Sequence, residues 1–282
     1  MRRTPPAVAV LIASALGLAA CGSSGSSDKS TQIANKTPTR TVKVVYATPE
    51  GADAKLAKTL LTAGGTTAVA KGLVGDFRLP WDVKVLVRNA SDTGPAYQPG
   101  DHSINLDYGF ANFVLKQVKA QDPGISDYKL GEKAAAINTF IFIHEFAHLL
   151  IDAYDLPITG REEDAADQLA TVFMTRFVDG GDKYAFDAAD FFNSLATDPS
   201  RLKQSDFLDE HSLDQQRAYQ IVCWIAGSSE AAYTSIQKLK IFPRSRLQQC
   251  PDEYQQKVNA WFTLLRPHLN TAGREQTRTT TG

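Results

Sequence analysis

The residues best suited to chemistry lie in Ile143-His144-Glu145-Phe146-Ala147-His148-Leu149. Side chains four apart on a helix sit one turn above each other on the same face. His144 and His148 can therefore reach one tetrahedral ion, with Zn–N distances of about 2.0–2.1 Å. Glu145, about 100° further round the helix, addresses a water beside the metal instead of the metal. H-E-x-x-H is thus a metal-ligand pair with a general base between them. The chain has only 5 His, so a chance occurrence has odds of roughly one percent or less. The other reading, a hydrogen-bonded core network, would bury three polar groups at considerable cost without a metal. Phe140 to Ile143 and Leu149 to Ile151 are the apolar flanks that bury the helix.

A third ligand must come from elsewhere. A metzincin would place Gly and His at the positions held by Ile151 and Tyr154, so that pattern fails. The next candidates lie in Thr159-Gly160-Arg161-Glu162-Glu163-Asp164-Ala165-Ala166-Asp167, at the start of another helix. Thr159 and Glu162 fit a capping box. Glu163 and Asp167, four apart, share a face, which makes Glu163 the expected third ligand. Asp167 is then placed to accept the second ring N–H of a ligand histidine. Glu162 and Asp164 remain alternatives to Glu163, because acids at a helix start also serve the macrodipole. Asp152 and Asp155 read as solvated or capping residues.

His144-Glu145-x-x-His148 followed by Glu163-x-x-x-Asp167 resembles the thermolysin-like, or gluzincin, arrangement. More closely, residues 42–265 resemble a family of bacterial metallopeptidases of unknown substrate. The matching stretches are the metal helix, Gly160 to Asp167, Asp209-Glu210-His211-Ser212, Gln216-Arg217, Cys223, and Cys250-Pro251-Asp252-Glu253-Tyr254. The strand segments show no clear match to the substrate-binding edge strand of thermolysin. The resemblance implies a zincin-like fold, a Zn2+ cofactor and hydrolysis of a peptide or protein substrate, with Glu145 as base. It also implies a histidine that donates to the oxyanion, and His211 resembles that device, oriented by Glu210 or Asp209. Ser212 and Gln215 fit a second capping box, which puts His211 on the loop before a helix. Tyr219 and Tyr154 are the other candidate donors. Arg217 would pair with an acidic neighbour or bind a substrate carboxylate. Two further readings use the same motif: a zinc amidase acting on cell-wall or other non-protein amides, and a non-catalytic surface lipoprotein of zincin fold. The intact Glu145 argues against the second, since a binding site has no use for a base.

The N-terminus predicts export. Arg2 and Arg3 precede an apolar run from Ala7 to Leu18, as in a signal peptide. Leu18-Ala19-Ala20-Cys21-Gly22 resembles a bacterial lipobox, so Cys21 is the expected lipidation site and the protein an extracytoplasmic one, anchored to the membrane by lipid. In an oxidising compartment the remaining Cys223 and Cys250 are expected to form a disulfide. Without Arg2 and Arg3, the 30 basic residues fall to 28 against 31 acidic, a balance of −3 that offers nucleic acid no electrostatic footing. Residues 1–20 are then signal peptide, 21–40 a flexible linker, 41–268 the metallopeptidase domain, and 269–282 a disordered tail, polar from Thr271.

The elements that must position the motif follow from periodicity. Strands are expected at 41–46, 82–88, 96–97 and 103–108, the last two forming a hairpin around Pro99-Gly100-Asp101. Helices are expected over 52–73, weakened or split at Gly64-Gly65, and over 110–120, 131–154, 160–178, 184–196, 212–226, 229–239 and 251–265. The fold class is α+β, a small N-terminal mixed sheet followed by an active-site helix and a mainly helical half. The sheet is expected to be largely antiparallel, with a substrate cleft between it and the 131–154 helix, lined by Pro95-Ala96-Tyr97 and Ser103 to Tyr108.

Overall fold

The computed structural model describes residues 40–91 and 94–270. The signal peptide, Cys21, nearly all of the linker and the tail from Thr271 lie outside the described residues. The chain opens with β1 (Val42–Tyr46), then α1 (Gly51–Ala63) and α2 (Thr66–Asp76). Gly65 separates these two helices with φ 79°, a left-handed backbone that a glycine adopts without steric penalty. β2 (Val83–Arg88), β3 (Ala96–Gln98) and β4 (Ser103–Asp107) complete one four-stranded sheet. The main helices that follow each run for 10 residues or more, and the architecture is α+β as expected.

The strand order is β1-β2-β4-β3. β1 pairs β2 and β2 pairs β4 in parallel; only the β3–β4 hairpin is antiparallel. This corrects the expectation of a largely antiparallel sheet. The α1–α2 crossover returns the chain to the same end of the sheet, which makes β1 and β2 parallel. Alternation of apolar residues reports which face is buried and carries no information on direction. β4 is buried along its whole length as a central strand, so it does not line a cleft; β3 is the edge. Val44, Val85, Ile104 and Tyr97 lie in register across one face. Val83, Val85 and Val87 of β2 are all buried on that side.

The helical half begins with α3 (Tyr108–Gln121), capped by the Asp107 carboxylate, which accepts from Phe110 N–H. α4 (Asp127–Tyr154) follows, with Ser126 as its N-cap. It is long and apolar enough to cross a membrane, yet it is the buried core helix of this fold, in contact with β3, β4, α1, α2, α3, the next helix α5 (Glu162–Phe177) and α6 (Gly181–Leu195). Its apolar residues point in all directions because neighbours surround it. After α7 (Gln204–Leu208) come α8 (Asp214–Ser228), α9 (Glu230–Leu239), α10 (Arg244–Leu247) and α11 (Cys250–Leu265).

Cys223 and Cys250 are bridged and tie α8 to α11. Gly227 leaves no room for a Cβ against the Cys250 carbonyl, so the two helices approach backbone to backbone beside the bridge. Leu269 is buried and pairs with Phe77, and Asn270 N–H donates to the Asp76 carbonyl at 2.9 Å. These two residues, assigned by sequence to the tail, belong to the domain because Leu269 completes its apolar core.

Candidate metal centre

α4 presents His144, Glu145 and His148 where α5 begins. Both helices are held by apolar contacts: Phe146, Leu149, Ala166 and Leu169 are almost wholly buried. Burial of such residues stabilises by about 1.5–3 kcal/mol for each large side chain, and fixes the helices to within the tolerance a ligand set requires. His144 Nε2 lies 3.0 Å from Glu163 Oε2 and 3.2 Å from His148 Nε2, and His148 Nε2 lies 3.3 Å from Glu163 Oε1. Donors placed 2.0–2.1 Å from one tetrahedral ion stand about 3.3 Å apart. The three side chains thus fit a tetrahedral metal ion by chemistry and spacing.

His211 joins them from the loop before α8. Its Nε2 is 2.8 Å from Glu163 Oε2, and His144, Glu163 and His211 each offer a ligand-type atom within 4.8 Å of the others. The three imidazoles share one design. In each, Nδ1 meets a carboxylate: His144 with Asp167 at 2.9 Å, His148 with Glu162 at 2.7 Å, His211 with Asp209 at 3.2 Å. That leaves every Nε2 directed at Glu163. A carboxylate on Nδ1 fixes tautomer and ring orientation and raises the basicity of Nε2.

Of the three acids left open by the sequence, Glu163 is the one among the Nε2 atoms. Glu162 holds His148 from the far side of its ring, and Asp164 has no partner in the cluster. Glu162 does not form a capping box with Thr159. The helix starts at Glu162 itself, with Arg161 as N-cap and no side-chain cap bond, because Glu162 is drawn to His148 instead. The second box does not form: α8 starts at Asp214, its N-cap Leu213 has no side-chain acceptor, and only Gln216, not Gln215, accepts back from the Leu213 N–H at 3.3 Å.

Asp167 is buried and is gripped by Arg217, whose Nε donates to Oδ2 at 2.8 Å and Nη2 to Oδ1 at 3.0 Å. The guanidinium also lies over the Phe192 ring, 3.9 Å from its centroid. Arg217 is therefore a partner of Asp167 and does not reach for substrate. Burial opposes ionisation of Asp167, but Arg217 and His144 outweigh it and hold the carboxyl well below its usual range. Glu163 behaves alike: burial is overcome by hydrogen bonds from His144, His148 and His211, and its pKa is lowered. For His144, burial disfavours the charged ring, yet Asp167 and Glu163 push its pKa up to about 9 in the metal-free protein.

Glu145 is buried, and burial pushes its pKa up despite His144 and His148. Its Oε2 accepts from the backbone N–H of Tyr97 at 2.7 Å, so the edge strand β3 lies directly against α4 at Glu145. The Tyr97 hydroxyl donates to Asp152 Oδ2 at 2.7 Å, which stitches β3 to α4 a second time. Asp152, read from sequence as a solvated or capping residue, is thus an anchor of the edge strand; Asp155, with φ 48°, ends the helix as its cap. Tyr154 stacks on His268 and Tyr219 packs against Phe242, and neither hydroxyl contacts the cluster. A cavity of about 450 Å³ opens beside the cluster, lined by His148, Arg161, Glu162, Glu163, Asp209 and Glu210.

The family model described as "Putative metallopeptidase" matches residues 46–265. The chain belongs to that family. This assigns it to the metal-dependent proteases in general, and the matched range spans every side chain of the cluster. No curated protein and no solved structure matches the chain. Arg161, Glu162, Asp209 and Asp152 carry geometry that sequence reasoning missed or left open. The only available signal for Arg161 and Glu162 was their place inside a motif stretch; for Asp152, its position four residues after His148.

Proposed function

We propose that the protein is an extracytoplasmic zinc metallopeptidase of gluzincin-like design, anchored to the membrane through a lipidated Cys21. The observation that carries this reading is the convergence of His144, His148 and Glu163 at tetrahedral spacing, beside a buried Glu145 that binds no other member of that set. His144, His148 and Glu163 would hold zinc, and Asp167 would orient His144. When bound there, zinc lowers the pKa of a water and polarises a substrate carbonyl. Glu145 takes the proton from the attacking water and passes it to the leaving amine. Its burial, which raises its pKa, suits both transfers.

His211 supplies the donor for the tetrahedral oxyanion. Asp209 lies 3.2 Å from its Nδ1, so donation from Nε2 requires the doubly protonated ring; in the metal-free protein the hydrogen bond with Glu163 raises the His211 pKa towards that form. An extended peptide would lie beside β3, next to Glu145, where the Tyr97 N–H is already held by the Glu145 carboxylate.

The test is a cleavage screen over peptide, protein and cell-wall fragments with zinc-loaded protein. Wild-type turnover should be lost in Glu145→Gln, which keeps its metal. His211→Ala should keep metal and lose roughly 10²–10³ in kcat. Turnover of wall amides alone would move the substrate class to the amidase reading; Glu145→Gln with wild-type turnover would remove Glu145 from the chemistry. Cys21→Ala should shift the protein from the membrane to the soluble fraction.

A further inference from the structure

Arg161 lies at the N-cap of α5, two residues before Glu163, and is exposed. An exposed arginine among Glu162, Asp209 and Glu210 would ordinarily pair with a carboxylate. Among the described residues Arg161 forms no ion pair. Instead its Nη1 donates to three successive backbone carbonyls: Asp209 at 3.0 Å, Glu210 at 3.4 Å and His211 at 2.9 Å. Those carbonyls belong to the bend between α7 and α8, where no helix or strand ladder supplies donors.

We infer that Arg161 is a positioning residue, which holds the 209–211 bend so that His211 stays at the reactive centre. The inference rests on the proposed role of His211. Asp209 Oδ1 accepts both from the His211 N–H at 2.9 Å and from Nδ1, so the ring is fixed relative to its own backbone turn. That turn needs an external anchor. In this structure Glu163 provides one through Nε2, but a Glu163 committed to a metal no longer has that oxygen free for His211. The Arg161 clamp is independent of it. The anchor itself is rigid, because the Arg161 carbonyl accepts from Ala165 N–H at 3.1 Å in the first turn of α5. The residue that sets the position of the oxyanion donor is thus two positions from the expected metal ligand. One helix start fixes the distance between the two. The clamp is made by Nη1 alone, held out on a planar, pre-organised guanidinium; a lysine, with a point charge on a more flexible stem, matches it less well.

The test uses the full chain and two variants, Arg161→Ala and Arg161→Lys. In the zinc-loaded protein, where Glu163 is committed to the metal, hydrogen exchange of the amides at 210–213 should rise at least tenfold in Arg161→Ala and less in Arg161→Lys, with α4 unchanged. Unaltered exchange at 210–213 in Arg161→Ala would overturn the inference. With a substrate from the cleavage screen, Arg161→Ala should lose at least tenfold in kcat with KM within about twofold, and millimolar guanidinium should restore part of it. It should add nothing further to His211→Ala. An additive loss in the double variant, or a change confined to KM, would also overturn it. Because exchange is read without turnover, absent cleavage by the wild type would count against the peptidase reading and leave the clamp to be judged on exchange.

Discussion

Replacing Arg217 with Met keeps an unbranched stem against Phe192 and removes the charge that faces Asp167. Asp167 is 2% exposed and Arg217 8% exposed, and two hydrogen bonds of 2.8 and 3.0 Å join them. Breaking one side of such a buried pair leaves an uncompensated charge, at a cost of about 3–5 kcal/mol. His144, 2.9 Å from Asp167 and with its pKa pushed up to about 9, offsets part of that. The expectation is therefore the low end, about 3 kcal/mol. For a domain of this size that lowers Tm by roughly 6–12 °C. Urea unfolding of the metal-free variant measures it directly. The same substitution should weaken metal binding about 10–100-fold, because Asp167 no longer holds His144 in one orientation. Asp167→Asn with Arg217→Met removes both charges, so the double variant should be more stable than the sum of the single losses by about 2 kcal/mol. A loss under about 1 kcal/mol in Arg217→Met, or strict additivity, would refute the ion-pair argument.

Metal uptake should depend on pH through His144, whose pKa is pushed up to about 9: apparent zinc affinity should rise about tenfold per unit between roughly pH 6.5 and 9, read by competition with a chromophoric chelator. Stability of the metal-free protein should run the other way. The raised His144 contributes fully below its ordinary pKa and is lost as pH rises through about 9, while the depressed Glu163 and Asp167 contribute above about pH 4 and are lost on acidification. Denaturation across this range should find the maximum between roughly pH 4.5 and 6.5; a stability rising towards pH 9 would contradict it. His144→Ala and His148→Ala should contain no zinc by elemental analysis, and Glu163→Ala should bind it orders of magnitude more weakly. Reducing Cys223–Cys250, 27 residues apart, should lower stability by about 3–4 kcal/mol in urea unfolding, and thiol labelling of the unreduced native protein should find neither sulfur free.

Much of this molecule was legible in one dimension. The helix around His144 announced itself by apolar residues on every side and by histidines one turn apart. The break at Gly64-Gly65 followed from glycine's freedom, and the β3–β4 hairpin from its turn residues. All of these depend on contacts within a few residues, which local spacing encodes. The sheet's direction did not, because alternation is the same for parallel and antiparallel strands and the crossover decides between them. Nor did the placing of Glu162, Glu163 and Asp164: consecutive residues on a helix point about 100° apart, and only the angle at which α5 meets α4 puts Glu163 among the Nε2 atoms and Glu162 on the Nδ1 side of His148. The partners of Asp167 and Asp152 lie 50 and 55 residues away, at Arg217 and Tyr97. The sequence by itself determined the donor atoms and their helical faces, since bond geometry and periodicity are local. Only the tertiary structure decided which carboxylate backs each imidazole and what holds the His211 bend, because these pairings form between elements that meet through core packing.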